Sequence, residues 1–210
     1  MISINTLLII IIVGLSFYAW GSKEVMNRWI MNPYTIKTQK QWYRFISSGF
    51  IHNDYMHLGF NCLTLYFFGD GIELIYSMGV LGKVAYPLFF VLGVIVSSIP
   101  TYLKHQSNPG YNSLGASGGV SSVVFASIVL GPSQELGLII IPFFRLPAII
   151  FGVMYLIYSH FMSKKGIDNI NHDAHLYGAL FGVLFTLLYV KGAIYYFLIG
   201  LNDLMNGALL

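Results

Sequence analysis

The stretch His57–Ile75, HLGFNCLTLYFFGDGIELI, decides the fold. Its body is apolar enough to cross a bilayer as a helix. Yet it opens on two polar residues one helical turn apart, His57 and Asn61. Two other apolar runs begin in a similar way. Gly115-Ala116-Ser117-Gly118 opens a run that ends near Leu130, and His175 opens His175–Val190, HLYGALFGVLFTLLYV. If the three runs are the second, fourth and sixth of six spans, parity puts all three starts on one side of the membrane. His57, Asn61, Ser117 and His175 then share a shallow depth. Polar groups in a span are costly, so their presence calls for a functional explanation.

Composition supports the membrane reading. Of the 210 residues, 56% are hydrophobic and 9% charged, with a mean hydropathy of +0.71. Soluble chains carry roughly a quarter charged residues, so this chain lacks the polar surface to cover a water-soluble globule. Its length suits one domain, residues 1–210, of six spans at ~20 apolar residues each. The net charge of +3 is small and scattered, which argues against a nucleic-acid partner. The single cysteine, Cys62, excludes an intrachain disulfide and any cysteine-based zinc site.

The first span is expected over Ile4–Trp20. Without a basic leader or a clear cleavage site, it reads as a retained helix rather than a signal peptide. The connection Gly21–Tyr55 mixes charges with Trp29, Trp42 and other aromatics, which suits a folded loop in the membrane interface. Further spans are expected at Tyr55–Met78, Val80–Lys104 (broken near Pro100), Gly115–Leu130, Leu146–Phe161 and His175–Val190. Gly131–Arg145 reads as a loop with an interfacial apolar strand, and Ile194–Leu210 as a moderately apolar tail. The fourth span is short, and a glycine-rich start suits a helix end sunk below the surface and reached by water.

Serine becomes a nucleophile when a base takes its proton, and histidine is the usual base. Ser117 at a helix start also offers the amides of Ser117 and Gly118, with the helix dipole, to a developing oxyanion. Gly178 and Gly182 form a GxxxG face after His175, and the fourth span meets it with small residues. Close approach is what a Ser–His contact needs, because both side chains are short. His57 and Asn61 lie on one helical face and can both donate hydrogen bonds to an oxyanion. His52 lies in the loop and reads as an ordering residue. Asp70 and Glu73 fall at the far end of the second span. No acid is obviously placed to orient His175, with Asp173 left as the one candidate, so a dyad is the simpler arrangement.

Together these residues resemble the rhomboid intramembrane serine proteases, over most of the chain. His57-x-x-x-Asn61 is similar to the family's motif on the second helix, with His52 at its upstream loop histidine and Glu73 at its glutamate. Gly115-Ala116-Ser117-Gly118 is similar to the Gly-x-Ser-Gly nucleophile motif. Ala174-His175-x-x-Gly178-x-x-x-Gly182 is similar to the catalytic-histidine motif. The resemblance implies an all-α, six-transmembrane-helix bundle with a structured first loop in the interface. It also implies a Ser117–His175 dyad and an oxyanion hole from His57, Asn61 and the backbone around Ser117 and Gly118.

The implied activity is an endopeptidase that cleaves transmembrane or membrane-anchored proteins near the outer face. The implied partners are those substrates and membrane lipids, with no cofactor or metal. The implied location is a multi-pass place in the cell membrane, N-terminus inside. Positive-inside counting of Lys and Arg gives the opposite orientation, but it weighs unfolded loops, and this first loop reads as structured.

Two departures stand out. The family often has an aromatic residue four positions after the serine, stacked on the histidine; here it is Ser121. The family's Trp-Arg pair is interrupted as Trp42-Tyr43-Arg44. Two other functions compete: an inactive rhomboid-like binder of membrane segments, and a histidine-based metal carrier using His52, His57, His172, Asp173 and His175. For the protease, the fifth span is the expected lateral gate, with Phe151 and Tyr155 as packing residues and Met162–Asp173 as a lid.

Overall fold

A computed structural model describes residues 2–138, 141–165 and 170–207, with backbone alone at 138, 141–144 and 165. The chain is mostly helical. Helix α1 is Ile4–Trp20, followed in the first loop by α2 (Lys23–Trp29), α3 (Pro33–Gln39) and α4 (Arg44–Ser47). Then come α5 (Tyr55–Ser77), α6 (Ala85–His105), α7 (Ser117–Leu130), α8 (Ala148–Lys165), α9 (His172–Tyr189) and α10 (Ala193–Met205). Between α7 and α8 lie two antiparallel strands, β1 (Glu135–Leu138) and β2 (Ile141–Pro147). The expected single apolar strand is thus half of a hairpin, whose residues 139–140 lie outside the described set.

Polarity is arranged inside out. Asn5, Ser16, Ser97, Thr101, Ser122 and Thr186 are buried, while Ile10, Phe17, Phe67, Leu74, Ile157 and Leu188 are exposed. Apolar outer faces of this extent suit a lipid surround. Six helices occupy the positions of the six expected spans. Among the described residues, however, only the helical segment Gly82–His105 is long and apolar enough to cross a membrane by itself. The physical reason lies in the packing. Helix α7 is short and almost wholly buried by protein, so it need not be matched to lipid. Helix α5 carries Asp70 and Glu73, whose carboxylates face α1 rather than lipid.

Those carboxylates hold the N-terminus of α1. Glu73 accepts from the Ile4 and Asn5 amides at 3.0 and 2.7 Å, where a helix start favours negative charge. Asp70 accepts from Ser3 and from the Asn5 side chain, both at 2.9 Å. Buried Asn5 also donates to the Leu65 carbonyl and accepts from the Tyr86 hydroxyl.

Three expectations change. Helix α6 runs unbroken through Pro100; Ser97 and Ser98 donate to the Val94 carbonyl in the turns before it, at 3.0 and 2.8 Å. The fifth helix extends to Lys165, so part of the expected lid is helix, and residues 166–169 lie outside the described set. The tail forms α10, which leaves α9 at 113° through Gly192 in a left-handed conformation (φ 83°). Gly200 then packs on Pro132 below α7, where a Cβ would come within 2.6 Å of the proline ring. Residues 208–210 of that tail lie outside the described set.

The first loop is folded. Ser22 and Asn32 cap α2 and α3, with Pro33 in the first turn of α3. Arg44 is buried despite the interrupted Trp-Arg pair. It donates to the carbonyls of Asn27 and Ile30 at 2.8 and 2.6 Å, and to Gln41 at 2.7 Å. Met31 and Ser113 exchange backbone hydrogen bonds, tying this loop to the one before α7.

Candidate active site

The starts of α5, α7 and α9 open onto one cavity of about 1050 Å³, lined by His57, Asn61, Ser117, Gly118, Ser121, Tyr155, Asn171 and His175 among others. Ser117 is the first residue of α7. Gly115 before it has φ 120°, a conformation that favours glycine. A Cβ there would collide with the His57 ring. The turn is pinned from the first loop: Gly115 N–H donates to Ser48 O at 2.9 Å, and Ala116 N–H donates to His52 Nε2 at 3.2 Å. The first helical bond begins at Val120, so the amides of Ser117, Gly118 and Gly119 have no intrahelical acceptor.

His52 is fully buried, with its Nδ1 bonded to Ser16 Oγ at 3.0 Å. Burial, and secondarily the nearby His57, push its imidazole down to about 3 from 6.5. The neutral ring can therefore accept from Ala116 at Nε2. It joins α1, α5 and the serine turn, and its edge-to-face contact with His57 has ring centroids 5.0 Å apart. Asp54 caps α5 by accepting from His57 N–H at 2.8 Å, which holds its carboxyl below the usual range. Asn61 is buried and donates one N–H to His57 O at 2.8 Å.

Helices α7 and α9 meet backbone to backbone. A Cβ on Gly178 would lie 2.9 and 3.0 Å from the carbonyl carbon and Cα of Gly118, and one on Gly182 would run into the backbone of Ser122. Ser122 Oγ sits within 2.9 Å of both the Gly118 and Gly178 carbonyls. Gly118 packs against Gly178 and Ala174, and the adjacent Ser117 and His175 both line the cavity.

His175 lies in the first turn of α9. Asn171 caps that turn, accepting from Ala174 N–H at 3.1 Å while bonding Thr101 and Ser113, both at 3.0 Å. Asp173 lies in the same first turn of α9. It is engaged by Ser163 on α8 and by Lys104 at 3.0 Å. Among the described residues, no three His, Cys, Asp or Glu side chains form a group that could hold a metal ion. The five ligands of the carrier reading are therefore not assembled.

The aromatic missing at position 121 arrives from another helix. Tyr155 of α8 stacks on His175, centroids 6.1 Å apart and planes 20° apart, and its hydroxyl bonds Ser121 Oγ at 2.9 Å. Tyr155 is thus turned into the site, not merely packed at a gate. Sequence reasoning missed this, as it missed Asn171. Both lie on other elements than their partners, and nothing in local pattern announces them.

An inside-out helical bundle with a serine, two histidines and an asparagine around one cavity has the character of a membrane protein. The Rhomboid domain family matches residues 39–192, and the chain belongs to that family. It is 27% identical over 153 residues to the putative rhomboid protease YdcA of Bacillus subtilis (strain 168), covering 72% of this chain and 69% of that protein. It is also 27% identical to two Arabidopsis thaliana proteins. One is RHOMBOID-like protein 12, mitochondrial (78% of this chain, 52% of the relative); the other is Rhomboid-like protein 11, chloroplastic (89% and 66%). The chain thus spans about half to two thirds of those relatives' length.

Proposed function

We propose that this protein is an intramembrane serine endopeptidase working through a Ser117–His175 dyad. The observation that supports the reading is the glycine-on-glycine contact of α7 and α9 beside a cavity lined by Ser117, His175, His57 and Asn61. His175 takes the Ser117 proton as Oγ attacks the scissile carbonyl. The oxyanion is met by the free amides at the start of α7, by the second N–H of Asn61 and by an imidazole N–H of His57. His175 then protonates the leaving amine, and water deacylates the serine by the reverse sequence. No metal or cofactor takes part in these steps.

Six membrane spans, an inside N-terminus and an outward-facing site in the cell membrane complete the proposal. Substrates are transmembrane or membrane-anchored proteins admitted past α8, which presents Ile150, Val153 and Ile157 outward. Helical carbonyls are already hydrogen-bonded, so the cut segment must unwind, which favours substrates with helix-breaking residues there.

The test is incubation of the purified protein in detergent with model single-span substrates and a serine-directed fluorophosphonate, followed by mass mapping. Cleavage and labelling at Ser117, both lost in Ser117→Ala and His175→Ala, support the reading. Residues acting as a unit are non-additive, so the double variant should be no worse than either single one. Binding without cleavage or labelling would favour the inactive binder. Activity lost to a chelator and restored by zinc would favour a metal site.

A further inference from the structure

The site contains a ring that the dyad's own helices do not supply. Tyr155 lies parallel to His175, and its remaining neighbours fix its plane. Phe151, one turn earlier on α8, stacks on it at 6.3 Å and 23°, and Phe125 of α7 lies 5.7 Å away. Its hydroxyl is held by Ser121, which stands one turn below Ser117 on the same face of α7. The serine that replaces the expected aromatic is therefore the anchor of the ring that substitutes for it. A tyrosine at position 121 would have to share the space into which Tyr155 now projects.

We propose that Tyr155 is a positioning residue of His175, beside the edge contact that His172 makes with the same ring at 5.7 Å, and that the dyad is fully oriented only while α8 is closed. The inference rests on the protease reading. The ring belongs to α8, the helix with lipid-facing Ile150, Val153 and Ile157. Outward movement of α8 to admit a substrate would carry Tyr155 away from the imidazole. Return of α8 behind the substrate would restore the stack, so closure and orientation of the base are one event. A site with the ring on α7 would keep its histidine oriented whether the gate is open or shut.

The experiment compares Tyr155→Leu, Tyr155→Phe and Phe151→Ala with the wild type. It measures kcat and KM on a soluble unstructured peptide and the rate of fluorophosphonate labelling of Ser117; neither small reactant needs α8 to open widely. Tyr155→Leu keeps an apolar side chain but loses the ring. Its kcat and labelling rate should fall about three- to tenfold, the scale of one aromatic pair, with KM little changed. Tyr155→Phe keeps the ring, gives up the hydroxyl with its contacts to Ser121 and Ser159, and should recover most of the rate. Phe151→Ala removes a support of the ring and should fall between the two. Unchanged kcat and labelling in Tyr155→Leu would overturn the proposal, as would a Tyr155→Phe variant as slow as Tyr155→Leu. If Tyr155→Leu unfolds, the Tyr155→Phe and Phe151→Ala rates still decide between a ring effect and none. A wild type that is not labelled at Ser117 would instead remove the protease reading itself.

Discussion

Gly178→Ala tests the geometry on which the site depends. The added methyl would run first into the Gly118 carbonyl oxygen and would lie 2.9 and 3.0 Å from that residue's carbonyl carbon and Cα. Carbon atoms rest at about 3.5–4.0 Å, so the helices must part by about 0.5–1 Å. The obstruction is backbone, which cannot turn aside as a flexible side chain would. Overpacking of this kind costs about 1–3 kcal/mol of stability. The greater effect falls on chemistry, because a displacement of ~1 Å between reacting groups lowers rate about a hundredfold. Gly71→Ala is the control: it is helical too, and nothing lies within 4 Å of its added Cβ. That change should be neutral or stabilise by about 0.5–1 kcal/mol. Thermal unfolding in detergent, cleavage of a model substrate and fluorophosphonate labelling give the three readouts. A Gly178→Ala protein that cleaves within about twofold of wild type would refute the inference that this contact sets the dyad spacing.

Asn61→Ala should lower kcat by about ten- to a thousandfold with little change in KM, as loss of an oxyanion donor does; a change confined to KM would make Asn61 a binding element. His52 is held neutral down to about 3, below its unfolded 6.5, so the unfolded chain takes up the proton first. Stability should therefore be whole above 6.5 and fall as pH drops from 6.5 towards about 3, by up to about 1.4 kcal/mol per pH unit. Thermal melts across that range should show less of this loss in His52→Gln. Glu73→Ala removes the acceptor for two amides of α1 and should destabilise by about 0.5–2 kcal/mol, read by thermal melts, while leaving the chemistry of the distant dyad untouched. Lys104→Ala should free Asp173 from one of its two partners; the lysine is half-exposed, so the loss should stay under about 1 kcal/mol and the melting temperature should barely move.

Much of the molecule was readable before any coordinates. The apolar runs fixed where the helices lie to within a few residues, because a helix that faces lipid must be apolar along its length. The polar starts at His57, Ser117 and His175 stood out against those runs, so the candidate site was visible as an exception. The inserted tyrosine at Trp42-Tyr43-Arg44 raised a question that Arg44 answers by burying its guanidinium among loop carbonyls. Pro100 misled, because proline is tolerated inside helices packed in an apolar surround, and α6 continues through it.

The amino-acid order alone marks out the residues whose chemistry conflicts with their apolar surroundings. Such conflict is a local property, legible from neighbours along the chain. Which helix supplies what to which site emerges only on folding. Tyr155 comes to His175 from α8, Asn171 ties the start of α9 to Thr101 and Ser113, and Glu73 closes the start of α1 from α5. These are contacts between residues far apart in sequence, set by how glycine faces let helices approach and by the rotation of each helix about its axis. Neither quantity is encoded in any single stretch of the chain.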